Sequence, residues 1–159
     1  MAKPDTVKLG FKGKGDNNMA TVFGALSIAL GLLGSFLIGW IGVGIVVVFA
    51  LIAIIFRIRK NKANPDEPQK ISSIVCGIIG LVLAIITQIG VSAYAGKMKD
   101  TAIQMGDVPL IAEGAAGLKT LGLLGFYSTA MDAKGDMSDT EFENELKIQL
   151  DKVTKKISE

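Results

Sequence analysis

The sequence predicts an all-α membrane protein: a helical hairpin of two transmembrane helices, a third transmembrane helix, a possible fourth, and an amphipathic helix at the C-terminus. Three observations predict it. Two long blocks, Asn17–Phe56 and Ile71–Gly96, contain no charged residue. Clusters of lysine and arginine flank the first block on both sides. The last twenty or so residues carry a helical apolar stripe behind a capping signal. An uncharged apolar run of about 18 residues or more reads as a membrane span rather than a core helix.

The first block is 40 residues long. As one helix it would measure about 60 Å, against a hydrocarbon core of about 30 Å. Tilt does not absorb a factor of two, so the block must fold back. "GSFLIGWIGVG", residues 34–44, is the place for the break, because glycines cluster there and the single tryptophan, Trp40, suits a membrane interface. The spans are then 19–37 and 41–58. Charge gives an independent check. Lys3, Lys8, Lys12 and Lys14 precede the block, and Arg57, Arg59, Lys60, Lys62 and Lys70 follow it. Short loops rich in Lys and Arg stay in the cytoplasm, and two such loops share a side only across an even number of crossings.

The third span covers 71–94 and takes the chain out again. Residues 1–70 carry 9 basic and 4 acidic side chains, and residues 97–159 carry 8 and 11. That asymmetry puts the N-terminus and the 57–70 linker in the cytoplasm of a multi-pass cell-membrane protein. The linker, starting at Arg57, Arg59, Lys60 and Lys62, lies at the membrane surface, where anionic lipid headgroups add about 1 kcal/mol per cation. Marking topology and binding lipid are both open to it.

Lipid is as apolar as leucine, so spans associate where small residues let backbones approach. Ser27, Gly31 and Ser35 recur every four residues in the first span, and Cys76, Gly80 and Ala84 do so in the third, with Ser73 and Gly77 beside them. Each row lies on one helix face and is a candidate packing seam, within the chain or between chains. Gln88, in the third span, is expected to hydrogen-bond a neighbouring helix.

The same composition excludes much chemistry. There is no histidine, the commonest general base and metal ligand. One cysteine, Cys76, allows no intrachain disulfide. The spans hold no Asp, Glu, Lys or Arg, which argues against a coupled transporter. "GFKGKG", residues 10–15, lacks the Lys-Ser/Thr end of a phosphate loop. "DAKGDMSDTEFE", residues 132–143, has Lys134 and Met137 where a calcium loop needs a ligand and a glycine. No catalytic residue, metal, cofactor or nucleic-acid partner is therefore expected.

The tail begins with an apolar stretch, residues 106–131, interrupted by Glu113 and Lys119. A central lysine costs about 3 kcal/mol and each Val, Leu, Ile or Phe returns roughly 0.3–0.6, so insertion as a fourth span is near break-even. The alternative is a helix packed on the surface or against the other spans. Next, Ser138 and Glu141 have the spacing of a capping box. Phe142, Leu146, Leu150, Val153 and Ile157 then form one stripe of a helix over 138–158. Such a stripe covers the preceding helix, a second copy, or the membrane surface, and it is the candidate oligomerisation face.

"GIVVVFALIAIIFRIRKNKANPDEPQKISSIVCGIIGLVLAIITQIG" resembles the small bacterial membrane proteins of domain-of-unknown-function family 4190, over about residues 19–90. The resemblance implies a bacterial cell-membrane protein and no particular activity. "GDMSDTEFENELKIQL" is similar to the short C-terminal helical module called SHOCT, over about residues 127–150. That resemblance implies oligomerisation, and a cytoplasmic C-terminus that would favour a fourth crossing. The expected partners are the lipid bilayer, its anionic lipids, and further copies or other membrane proteins. The expected role is an oligomerising structural or accessory subunit, the alternative a homo-oligomeric pore or filament subunit.

Overall fold

The computed structural model describes residues 15–63 and 72–159, with side chains from 22 and from 74 onward in the two segments. Every regular element among them is an α-helix: α1 (Gly15–Ile38), α2 (Trp40–Ala63), α3 (Ser72–Met105), α4 (Pro109–Asp132) and α5 (Asp139–Ser158). The basic tail before residue 15 and linker residues 64–70, with Lys70, lie outside the described residues.

A single residue joins α1 to α2. Gly39 has φ +60, a left-handed conformation that costs glycine nothing and other residues about 1–2 kcal/mol. Its N–H donates to Ser35 O at 3.0 Å, closing the end of α1. The chain then doubles back so tightly that a Cβ on Gly42 would collide with the backbone of Gly34. Further along the hairpin, Phe23 meets Phe49 and Phe56, with ring centroids 5.6 and 6.0 Å apart. The break predicted within 34–44 thus falls at Gly39, immediately before Trp40.

α3 runs parallel to α1 and antiparallel to α2, completing a three-helix bundle. Two described helices, Trp40–Ala63 and Ile74–Met105, are long and apolar enough to cross a membrane; α1 contributes a shorter apolar stretch, Val22–Ile38. Inside the bundle lie Ser27, Ser35, Val46, Ala53 and Ala84, all fully buried. Outside lie the large side chains: Leu33 is 64% exposed, Ile86 59% and Ile89 58%. A water-soluble bundle has the opposite arrangement, with its largest apolar groups inside.

α3 does not end at Tyr94, as the span length suggested. It continues unbroken to Met105, 34 residues in all, about 51 Å. Its last third carries Lys97, Lys99 and Asp100 and becomes the spine of a second core. Ala95, Met98 and Ala102 of α3 pack there with Leu110, Ile111, Ala115 and Phe126 of α4 and Phe142, Leu146 and Val153 of α5.

α4 is not one continuous helix. Leu121 (φ −114, ψ 17) and Gly122 (φ 61, ψ −146) are not helical. The segment folds back on itself as two half-helices, 109–120 and 123–132. A Cβ on Gly114 would come within 2.6 Å of the Phe126 ring, and Gly117 sits against the Gly125 backbone. Halves of about 18 and 15 Å are too short for a core of about 30 Å.

α5 opens on the capping box read from Ser138 and Glu141. The Ser138 N–H and hydroxyl donate to Glu141 Oε2 at 2.9 and 2.8 Å, and the Glu141 N–H donates to Ser138 Oγ at 3.4 Å. The first two bonds hold the Glu141 carboxyl below its ordinary pKa. A hydrogen bond from Lys134, and its positive charge, hold Asp139 down likewise.

Two outcomes follow from these local geometries. Gly122→Ala is expected to cost about 1–3 kcal/mol, because its backbone region is essentially glycine-only. Gly96→Ala, where a Cβ meets nothing within 4 Å, is expected to stabilise by about 0.5–1 kcal/mol. Denaturant midpoints check both. The lowered pKa values of Asp139 and Glu141 add stability that is present above the ordinary carboxyl value of about 4 and is lost as pH falls through the lower folded values. Resistance to denaturant should therefore show a small acid transition, declining modestly as pH falls below about 4. Ser138→Ala should cost about 1 kcal/mol at neutral pH and flatten that acid transition.

Candidate functional site

Helix-to-helix contact in this chain is set by places where one backbone lies directly on another. Gly31 of α1 and Gly80 of α3 form the first. A Cβ on Gly31 would strike the Gly80 carbonyl, and one on Gly80 would sit 2.5 Å from the Ser27 carbonyl carbon. The two small-residue rows therefore face each other within one chain, with Ala84 buried beside Val43 and Val46. Ser27 satisfies its hydroxyl locally, donating to Gly24 O at 2.7 Å. A Cβ on Gly77 would meet Ala50 of α2 at 3.4 Å, an ordinary van der Waals distance. Cys76 is half-buried beside this seam.

Gly39 and Gly122 form the second such place. The tip of the folded-back α4 rests on the α1–α2 turn: a Cβ on Gly39 would lie 2.8 Å from Gly122 N, and one on Gly122 would lie 2.8 Å from Gly39 N. Sequence reading missed this pair, because it joins two turns 83 positions apart and neither belongs to a periodic row. The signal available was a glycine in the middle of each long apolar stretch.

Two glutamines hold the first half of α4 at its ends. Its N-terminus has Val108 as the cap residue and no capping side chain of its own. Gln149, 2% exposed in the middle of the α5 stripe, supplies the missing acceptor. Its Oε1 accepts from Leu110 N at 3.0 Å and Ile111 N at 3.4 Å, and its Nε2 donates to Glu145 at 2.7 Å. At the other end the kink frees the Lys119 carbonyl. Gln88 Nε2 of α3 donates to it at 3.1 Å, and Ser92 Oγ lies at 3.4 Å. So Gln88 does bond a neighbouring helical segment. Among the described residues its Oε1, and the Ser35 hydroxyl, find no hydrogen-bond partner.

Glu113 and Lys119, which made insertion of α4 costly, both lie on its exposed side. The C-terminal stripe is spent largely inside the chain. Phe142, Leu146 and Val153 are buried in the second core and Ile157 packs at its margin; Leu150 is 39% exposed.

No family model, no curated protein and no solved structure matches the chain. Neither resemblance, over 19–90 or over 127–150, gains support from those comparisons.

The basic residues Arg57, Arg59, Lys60 and Lys62 occupy the last two turns of α2. Steps of about 100° per residue distribute them around the helix rather than on one face. Arg59 and Lys62 are exposed, Arg57 and Lys60 half-buried. This is a collar, not a pocket, and cations at a helix C-terminus also complement its dipole. Among the described residues, no group of three or more His, Cys, Asp or Glu side chains has a metal-binding arrangement.

The glutamines predict unequal outcomes. Gln149→Leu leaves two buried N–H groups without an acceptor and is expected to cost about 1–3 kcal/mol. Gln88→Leu removes an already partnerless oxygen and leaves Ser92 beside the Lys119 carbonyl, so its cost is expected to stay under about 1 kcal/mol. Parallel denaturant curves measure the difference.

Proposed function

We propose that this chain is a small multi-pass integral membrane protein that serves as a non-catalytic structural or accessory subunit of a membrane assembly. The observation that carries the reading is the reversed size order of the α1–α3 bundle. Its closest helix contacts are made by Gly, Ala and Ser, with Val43 and Val46 beside them, while most of its Leu, Ile and Phe side chains stand on the surface. In water that surface would be a severe aggregation liability; in hydrocarbon it costs nothing, and close backbone approach supplies the association. The collar of cations at the end of α2 suits a cytoplasmic headgroup layer with anionic lipids.

On this reading α1, α2 and the first two thirds of α3 are the three spans. The N-terminus, the basic end of α2 from Arg57 and the linker that follows it are cytoplasmic, and the second core stands on the far side of the bilayer. Since α4 folds back, residues 97–159 all stay on that side. Self-association falls to side chains that the fold leaves outside: Leu150 of the stripe, with Tyr127 and Met131 of α4, which share a second groove. The absence of a catalytic role is supported by the chemistry of the chain rather than by any vacancy: no histidine and no charge in the apolar blocks.

The experiment combines location with topology. The chain is expected to resist alkaline extraction and to require detergent. Alkaline phosphatase fused after Lys97 or after Glu159 is expected to be active, and fused within the 57–70 linker to be inactive. Activity at Lys97 with none at Glu159 would restore a fourth crossing. A chain released by buffer alone would end the membrane reading.

A further inference from the structure

A cleft of about 410 Å³ opens where the bundle meets the second core. Its lining includes Phe36 of α1, Gly90 and Tyr94 of α3, Leu118 and Phe126 of the two halves of α4, and Leu150 of α5. That volume falls within the range of about 300–1,000 Å³ typical of ligand pockets. Three observations say what it takes. The lining is almost wholly apolar. A peptide segment would bring N–H and C=O groups into it, each needing a partner that these side chains do not offer. A hydrocarbon chain brings none. Two of its lining residues, Phe36 and Gly90, are exposed and stand one helical turn beyond Leu33 and Ile86 of the exposed apolar belt. Finally, Gly90 leaves open space in the wall: a Cβ there meets nothing within 4 Å.

We infer that this cleft holds one acyl chain of a bilayer phospholipid, drawn from the lipid-facing belt upward between α3, α4 and α5. The inference rests on the membrane reading above, since the bilayer is the source of the chain. The occupied cleft would join the second core to the membrane without any polar contact. The folded-back shape of α4 makes this possible, because Leu118 and Phe126 stand on its two halves and face the same space.

The test reconstitutes the full chain in phosphatidylethanolamine–phosphatidylglycerol vesicles containing a trace of phosphatidylcholine with a photoactivatable group within one acyl chain. Labelled residues are then mapped by peptide mass spectrometry. Gly90→Leu fills the cleft without disturbing the helix, whereas Gly96→Leu adds the same side chain at an open α3 position outside the lining. Label is expected on the cleft residues Leu118 and Phe126 in the wild type and in Gly96→Leu, and is lost from them in Gly90→Leu. Belt residues such as Leu33 and Ile86 are labelled in all three. Equal cleft labelling in Gly90→Leu, or label on the belt and none in the cleft, would overturn the acyl-chain site alone. An unlabelled belt would overturn the membrane reading as well.

Discussion

The structure depends on backbone lying against backbone where no side chain intervenes. Gly31 on Gly80 sets the distance between α1 and α3; Gly34 on Gly42 sets the α1–α2 hairpin; Gly39 on Gly122 sets the second core on the bundle; Gly117 on Gly125 closes α4. Each site brings atoms together where a methyl group would not fit. On the proposed membrane reading this suits a chain whose outward surface is large and apolar, because hydrocarbon holds no water to drive helices together and only short-range attraction remains. Among the described residues the polar contacts that shape the second core include one capping box, the Lys134–Asp139 ion pair and the two glutamines.

The glutamines explain why α4 is shaped as it is. A helix broken by a left-handed glycine exposes unpaired carbonyls at the break and unpaired amides at its start. Both would be costly beside an apolar core. Gln88 serves the first set from α3 and Gln149 serves the second from α5. The half-helix 109–120 is thus bracketed by two neighbours that belong to different parts of the chain. α5 is fixed in place by that bracket together with Phe142, Leu146 and Val153.

Much of the bundle was legible in sequence because charge exclusion and periodicity are local signals. The hairpin break near Trp40, the rows at Ser27 and Gly80, and the Ser138 cap are each written within about a dozen residues. Two features were not. The extension of α3 past Tyr94 carries mixed residues, Lys97 and Met98 among them, that fit either a loop or a helix end. Only packing against α4 and α5 decides for helix. The folding back of α4 turned on Gly122, one glycine among several in an apolar segment whose insertion free energy is near break-even. Its conformation is settled by Gly39 and Phe36, far away in the chain. The Gln149 role was hidden for the same reason: its partners begin 38 residues earlier.

The unbroken run of α3 has a mechanical consequence. One stiff rod, with no proline and no left-handed residue along its 34 positions, carries the basic linker at one end and the second core at the other. A rod of that kind transmits rotation as well as displacement. A tilt or twist of the bundle would therefore be passed along α3 to the far core, beside which Gly39 and Gly122 lie backbone against backbone.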